Sequence, residues 1–256
     1  RIADHCSNIA VCLIEVSNDA FDTHEYLHHF QHEQGFETQY NAYKAAGGTL
    51  SQADWRRENV NDMVRRVNAY IKSTKPWVRF GIGPAGVACG TNLSAVAKNY
   101  GIEPCPGSDW QYNSIYSDPI AWYNEGTIDF MSPQVYWPIN PGSSTDYKAI
   151  SEWWYKMADK FNRHAYISQD LSNSASQSIG FTEFSTEIDV TRNADTKAAP
   201  GTVYFPWKSL KSLSTRVNSK VQYLLNYLRY NSFQNVAIPP VVTWVNTTCP
   251  GQVSNV

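Results

Sequence analysis

Short apolar runs alternate along the chain with longer segments in which apolar residues recur at helical spacing. Such runs predict strands that are buried on both faces, and they lie at residues 9–16, 77–82, 128–131, 165–168 and 202–205. The helical segments lie at about residues 51–75, 118–124, 146–161, 182–193 and 214–231. Strands that are joined by helices rather than by hairpins pair in parallel through right-handed crossovers. The pattern therefore predicts an α/β fold with a parallel sheet.

The number of these units bears on the fold class. A TIM-type (β/α) barrel contains about eight strand–helix units, whereas about five are counted here. Either the chain lacks the first strands of a barrel or some strands escape the pattern. The chain has no initiator Met and no signal sequence, which favours the first interpretation. We therefore expect the carboxy-terminal part of a barrel over residues 1–245, and a linker towards a following module over residues 246–256.

Capping residues predict where several helices begin and end. Either Ser51 or Asp54 is expected to cap the first long helix, which should stop before Pro76. Asp118, followed by proline, is expected to begin a short helix that Gly126 ends. Residues 28–52 show no clear pattern, and we expect them to be irregular.

Charge and composition exclude some partners and favour others. The formal net charge is −2, the sequence pI is about 6.3, and the charges are scattered, which argues against a nucleic-acid or anionic-membrane surface. No apolar run approaches the roughly 18 residues of a membrane span. The chain has 9 Trp, 16 Tyr and 10 Phe. This surplus of aromatic residues fits a surface that handles glycans, although a tightly packed core would also use some of them.

The strand that begins at residue 128 changes character abruptly at Ser132. An amide and two large aromatic side chains follow, at Gln134, Tyr136 and Trp137. In α/β folds, ligands bind at the carboxyl ends of such strands. Flat rings cover the apolar faces of sugars while amides and carboxylates bind the hydroxyl groups. The sequence thus predicts a carbohydrate site here; the alternative is that both rings only pack at the rim of the core.

Four further residues are candidate ligands for the same glycan. Asp109 and Trp110 lie in a long connection, residues 87–117, of the kind that is usually functional. Trp207 follows a later strand and is a candidate stacking platform. Arg57 is a candidate to bind a carboxylate or a glycan oxygen; its alternative is a surface ion pair on a helix.

The histidine and cysteine patterns predict neither a metal site nor a cofactor. His28, His29 and His32 lie within five residues, but no second group of ligands pairs with them, and a solvated loop is favoured. None of the five cysteines shows the close spacing of a zinc or redox pair. Cys89 and Cys105 flank one loop, which leaves both a disulfide and two reduced, buried thiols open.

Four motifs carry a resemblance to a known family. They are ADWRRENVN at residues 53–61, FGIGPAGVAC at 80–89, GSDWQYNSIYSDP at 107–119 and GTIDFMSPQVYW at 126–137. In this order they resemble the family-10-like glycosyl hydrolases, a group of bacterial barrels. The resemblance implies a TIM-type barrel, export to the cell envelope (periplasmic or extracellular), and hydrolysis of a glycan. Some relatives act on the peptide-free strands of peptidoglycan, and further domains of the same polypeptide are expected.

The most acidic motif of this family, Asp-Gly-x-x-Phe-Asp-Asp-Tyr, aligns without gaps with residues 19–26. There Asp19 and Tyr26 match, whereas Glu25 stands in place of the second of the two adjacent Asp residues. Glycoside hydrolysis needs an acid that protonates the leaving oxygen and a partner that meets the developing cation. Glu25 is the predicted general acid. Asp22 is its predicted partner or orients an acetamido group, which requires a turn after Phe21.

Three alternatives to this catalytic assignment stay open. Asp109 is a second candidate partner for Glu25. The departures of residues 19–26 from the family motif also fit a non-catalytic glycan-binding barrel whose acid pair is eroded, and a structural module of a larger envelope protein is a third class.

Overall fold

The computed structural model describes residues 33–171, 181–206, 208, 224–235 and 240–244. Helices and short strands alternate within these residues, as the sequence pattern predicts. In chain order the elements are α1 (Glu33–Ala45), α2 (Gln52–Thr74), β1 (Gly81–Ile82), α3 (Ala95–Asn99), α4 (Trp110–Ser114), α5 (Pro119–Glu125), β2 (Phe130–Met131), α6 (Tyr147–Lys160), β3 (His164–Asp170), α7 (Phe181–Arg192), β4 (Gly201–Phe205) and a π-helical turn (Leu228–Ser232).

The four described strands form one parallel sheet in the order β1-β2-β3-β4. The register pairs Ile82 with Met131, and Met131 with Ala165. The longest pairing joins β3 to β4, where Asp170 lies opposite Phe205. Sequential parallel strands that are joined by helices are compatible with part of a TIM-type fold. The predicted mixed α/β class is therefore confirmed.

The core lies between the sheet and the helices. Met131, Ala165 and Ile167 are fully buried, and they pack in one cluster with Ile150 and Trp154 of α6. Since successive side chains of a strand point to opposite faces, the alternate positions of β3 face away from these helices. At the carboxyl end of β3, Ser168 and Asp170 therefore lie on the face opposite to the helices, whereas Gln169 lies on the helix side.

Two glycines make room for aromatic rings on the face of the sheet that points away from the helices. Gly81 pairs with Phe130 across β1 and β2, and a Cβ at Gly81 would lie 2.4 Å from the Phe130 ring. Likewise, Gly201 pairs with Tyr166, and its Cβ would lie 2.9 Å from that ring. The two rings contact each other with centroids 5.1 Å apart. Small and large residues therefore alternate across this layer of the sheet.

The predicted helix boundaries are confirmed at three positions. The Ser51 side chain accepts a hydrogen bond from the Asp54 amide at 3.1 Å, so that Ser51 is the cap of α2. Asp118 caps α5 through the Ala121 amide at 3.2 Å, with proline as the first helical residue. Gly126 ends α5 with a left-handed φ of 69°. These local signals work because each satisfies a backbone group that the helix leaves unpaired.

Two predictions about local structure are wrong. Residues 33–45 form α1 instead of an irregular segment. This helix is held by ring contacts of Tyr40 and Tyr43 with Trp55, at centroid distances of 5.5 and 6.2 Å, which its local sequence does not show. The strand predicted from residue 77 pairs only from Gly81, and Trp77 is 74% exposed.

Several predictions lie outside the described residues. The strand at residues 9–16, most of the helix at 214–231 and the linker at 246–256 are among them. Among the helices of the described ranges, none has the length and apolar character that a membrane crossing requires.

Candidate functional site

The carboxyl ends of β1, β2 and β3 meet around Gln134. This residue bridges in parallel to Ala85 on one side and to Ser168 on the other. Its backbone amide donates to the Pro84 carbonyl at 2.9 Å, and its side-chain Nε2 donates to the Gly83 carbonyl at 3.3 Å. The predicted site residue Gln134 therefore lies at the centre of the strand ends.

Tyr136 and Phe205 place two parallel rings at this edge. Their planes differ by 12° and their centroids lie 6.3 Å apart. The Tyr136 hydroxyl lies 3.5 Å from the Ser168 hydroxyl. Burial raises the pKa of Tyr136, and the charge of Asp170 raises it further, while the contact with Ser168 works in the other direction. A carboxylate therefore lies near enough to the phenol to act on its ionisation.

Trp137 is partly buried and packs against the hydrophobic core, and its position depends on Gly86. A Cβ at Gly86 would lie 2.6 Å from the Trp137 ring and 2.5 Å from the Gln134 carbonyl oxygen. The Gly86 carbonyl also accepts a hydrogen bond from the Trp154 indole at 2.6 Å. The absence of a side chain at residue 86 thus allows the β1 and β2 ends to approach each other closely.

Asp109 joins two loops through hydrogen bonds. It accepts hydrogen bonds from the Thr91 hydroxyl at 2.6 Å and from the Asn92 amide at 3.1 Å. Burial alone would raise the pKa of Asp109, but these hydrogen bonds outweigh burial and lower it. Trp110 follows as the first residue of α4 and is 43% exposed.

The Arg57 guanidinium is buried against α4. It forms an ion pair with Asp54 at 2.8 Å, donates to the Tyr112 carbonyl at 3.0 Å and lies 4.0 Å from the centroid of the Tyr112 ring. These contacts join α2 to the long connection. Arg57 and Asp109 thus make their described contacts in this corner of the molecule, whereas Gln134, Tyr136 and Trp137 come together at the strand ends.

A group of buried polar side chains supports the end of β3 on the side of the helices. Gln169 is fully buried and donates to the Tyr147 hydroxyl at 3.1 Å, which in turn lies 3.1 Å from the Thr191 hydroxyl. Glu187 is only 2% exposed, and burial together with the nearby Glu183 raises its pKa to about 9. Glu187 is therefore protonated and neutral at pH 7.

Both cysteines of the long connection are buried, free thiols. Cys89 and Cys105 are each 2% exposed, and the Cys105 amide donates to the Cys89 carbonyl at 2.9 Å. Burial raises the pKa of both thiols to about 12. Of the two alternatives that the sequence leaves open, the structure has the reduced one.

The predicted catalytic pair, Glu25 and Asp22, lies outside the described residues, as do Trp207, His28, His29 and His32. Within the described ranges, no group of three or more His, Cys, Asp or Glu side chains is arranged to hold a metal ion.

The structure adds Ser168, Asp170 and Phe205 to the strand-end site. Sequence reasoning places Asp170 at the end of a strand but does not bring it to the site. Two signals point to it. Asp170 comes shortly after an apolar run, and Phe205 is the last residue of the next apolar run. In a parallel sheet, the carboxyl ends of neighbouring strands share one edge.

An amide, two parallel rings, a hydroxyl and a carboxylate at one edge of a parallel sheet define an α/β protein with a polar and aromatic ligand site. The chain matches the family model described as glycosyl hydrolase-like 10 over residues 13–179, and it belongs to that family. The resemblance carried by the four sequence motifs is thereby confirmed.

Two curated relatives are similar over part of their length. The chain is 30% identical over 207 residues to a protein named glycosyl hydrolase YngK of Bacillus subtilis (strain 168), covering 77% of this chain and 36% of that protein. It is 35% identical over 130 residues to a protein named glycosyl hydrolase DigH of Escherichia coli (strain K12), covering 49% of this chain and 27% of that protein. The chain thus spans only about a third of the length of the curated relatives that it matches.

Proposed function

We propose that the chain is the carboxy-terminal part of a TIM-type barrel that binds and hydrolyses a bacterial or dietary polysaccharide, with the glycan strands of peptidoglycan among the candidates. The site lies at the carboxyl ends of β1–β4. The observation that carries this proposal is the convergence of Gln134, Tyr136, Ser168, Asp170 and Phe205 at one edge of the sheet.

The geometry suits a sugar ligand. Parallel rings offer apolar surfaces to the C–H faces of a pyranose, and polar groups beside them bind its hydroxyl groups. Both rings remain accessible, since Phe205 is 53% exposed and Tyr136 is only partly buried. In this proposal Trp110, Trp137 and Trp207 serve as further aromatic platforms for the glycan.

Glu25 is the proposed general acid, supported by the alignment of residues 19–26 with the acidic family motif. It donates a proton to the leaving oxygen while the bond to the anomeric carbon breaks. Asp22 is its proposed partner, either as a second carboxylate or as the group that orients an acetamido substituent. Enclosure among aromatic side chains is the usual means by which such an acid stays protonated.

The direct test compares Glu25→Gln with the unchanged protein. Release of reducing sugar from peptidoglycan glycan strands, chitin and plant polysaccharides should fall by at least about 100-fold in the variant, the scale of general acid catalysis. Binding to the same glycan should stay nearly intact. Glu37→Gln, an exposed position of α1, is the matched control. Full activity of Glu25→Gln would show that Glu25 is not the acid.

The departures at residues 19–26 support one other function, a glycan-binding barrel without catalysis. His24 stands at the first of the two adjacent Asp positions of the motif, and Ala20 where the motif has Gly. A binder would be retained on a glycan column without releasing sugar, whereas an enzyme would be retained and would also release sugar. A structural module would neither be retained on the column nor release sugar.

Export to the cell envelope is also part of the proposal, because polysaccharide substrates of this kind lie outside the cytoplasm. Fractionation of a producing cell tests it. Recovery of the protein only from the cytoplasmic fraction would contradict it.

A further inference from the structure

We propose that Asp170 is a sugar-binding residue that accepts hydrogen bonds from hydroxyl groups of the sugar lying against Tyr136 and Phe205. The inference rests on the proposed function and deepens it. It assigns a charged acceptor to the strand-end site that is independent of the acidic segment at residues 19–26.

The register of the sheet puts Asp170 at the site. Asp170 is the last residue of β3 and lies directly opposite Phe205, the last residue of β4. Along β3, Ile167 and Gln169 are fully buried on the helix side. Because side chains alternate along a strand, Ser168 and Asp170 point to the opposite face. Tyr136 lies on that face too, since its hydroxyl is 3.5 Å from the Ser168 hydroxyl.

The contacts of its neighbours bring a phenol and an aromatic ring close to Asp170. Tyr136 reaches across to the Ser168 hydroxyl, two residues before Asp170, at 3.5 Å. The ring of Tyr136 also lies parallel to that of Phe205. Burial raises the pKa of Tyr136, and the charge of Asp170 adds to this effect.

The backbone holds this position firmly. Gln169 anchors the strand end through the Tyr147 hydroxyl, and β3 and β4 remain paired up to Asp170 and Phe205. A binding group that is fixed on a paired strand loses little conformational freedom when a ligand binds. Asp170 is therefore preorganised.

A carboxylate beside parallel rings has two consequences for recognition. It accepts strong, charge-assisted hydrogen bonds from sugar hydroxyl groups. It also repels a sugar that carries a carboxylate of its own, and such repulsion sets specificity. The subsite formed by Tyr136, Asp170 and Phe205 should therefore prefer a neutral sugar over an acidic one.

Affinity electrophoresis of the full chain tests this preference. The gels contain either hydroxyethyl cellulose or carboxymethyl cellulose, and either glycol chitin or carboxymethyl chitin. Each pair shares one backbone and differs in charge. The unchanged protein should be retarded more strongly by the neutral member of a pair. Asp170→Asn should bind the neutral polymer about tenfold more weakly or worse, and its preference for the neutral member should shrink.

The matched control is Glu152→Gln, which removes an exposed carboxylate of α6 that lies 3.9 Å from Lys148. It should behave like the unchanged protein. The ratio between the two polymers does not depend on the folded fraction, so the test holds even if Asp170→Asn is less stable. Thermal unfolding of each variant is measured alongside.

Two outcomes would overturn the inference and leave the proposed function standing. One is a variant with unchanged affinity and preference. The other is an equal loss for both members of a pair with the preference kept, which a purely structural role produces. If the unchanged protein bound none of the four polymers and released no sugar from the panel above, the proposed function would fail and the inference with it.

Discussion

The indole N–H of Trp244 donates a hydrogen bond to the Asp129 carboxylate at 2.8 Å, across 115 residues of sequence. The second oxygen of Asp129 accepts from the Lys72 ammonium group at 2.7 Å and from the Phe80 amide at 2.6 Å. The Trp244 ring also packs on His164, with centroids 4.8 Å apart. The segment at residues 240–244 is thereby tied to the amino end of the sheet, opposite the strand-end site.

Replacing Trp244 by Phe should lower the free energy of unfolding by about 2 kcal/mol. Phenylalanine keeps much of the packing on His164 but leaves an oxygen of the buried Asp129 without its donor, and hydrogen bonds to charged groups contribute about this much. Urea unfolding followed by tryptophan fluorescence measures the change. Val241→Ala, at a position 75% exposed, is the control and should stay within about 0.5 kcal/mol. Equal stabilities of both variants would contradict the prediction.

Asp129 should also make stability depend on pH in the acid range. Burial works to raise its pKa, but the hydrogen bonds from Lys72, Phe80 and Trp244 outweigh burial, and the pKa lies below its ordinary value of 3.8. A carboxyl group with a depressed pKa stabilises the folded state above that ordinary value, and the contribution is lost as the pH falls through the folded-state pKa.

The variant Asp129→Asn isolates this contribution. It should be less stable than the unchanged protein at pH 7 by about 3 kcal/mol, since it leaves Lys72 without its partner. The difference should narrow as the pH falls below the ordinary value of 3.8 towards the folded-state pKa, because protonation of Asp129 then removes the ion pair with Lys72. Unfolding curves at a series of pH values measure it. A difference that stays constant down to pH 2 would be inconsistent with the ion pair.

Glu187 should act in the opposite direction. Its pKa is raised from 4.5 to about 9, first by burial and then by Glu183. A raised pKa gives a stabilising contribution that is complete below pH 4.5 and is lost progressively as the pH rises towards 9. Glu187→Gln keeps the shape of the neutral acid and cannot ionise.

The difference between the two proteins should therefore grow with pH. Glu187→Gln should match the unchanged protein near pH 4 and exceed it by as much as about 3 kcal/mol at pH 7, at 1.36 kcal/mol for each pH unit above the ordinary value. Denaturant titrations at both pH values provide the measurement. The exposed Glu152→Gln should show no such trend. A stability difference that is the same at both pH values would rule out this role of the carboxyl group.

Gly86→Ala should damage both stability and the site. The new Cβ would overlap the Gln134 carbonyl and the Trp137 ring, and overpacking of this kind costs about 1–3 kcal/mol. Because the change separates the β1 and β2 ends, glycan retention should also fall. Gly83→Ala is the milder comparison, since its nearest atom, the Ser132 carbonyl oxygen, would lie at 3.3 Å. Equal glycan binding by both variants would show that Gly86 does not set the geometry of the site.

Local signals explain what the sequence could predict of the fold. The capping residues Ser51, Asp118 and Asp146 accept hydrogen bonds from amides three residues away. A few residues of sequence are therefore enough to predict them. The same holds for the apolar run that becomes β3. By contrast, α1 depends on packing against Trp55 of the next helix, and the local sequence pattern does not predict this helix.

The site residues that follow β2 were predictable from the sequence, whereas those at the ends of β3 and β4 were less so. Tyr136 and Trp137 stand out because two large rings follow a buried run. Asp170 looks like any polar residue after a strand, and only the register that sets it opposite Phe205 gives it a place. Arg57 shows the converse, since its type suggests a ligand contact while its described partners are Asp54 and Tyr112. Whether it also meets a glycan stays a prediction.

The close fit between Gly81 and the Phe130 ring has a consequence for how this family can diverge. A side chain at position 81 would overlap the ring across from it unless that ring shifts or becomes smaller, so that the effects of replacing the two residues should not be additive. Related chains should therefore change these positions as a pair, and a bulkier residue at 81 should accompany an aliphatic one at 130.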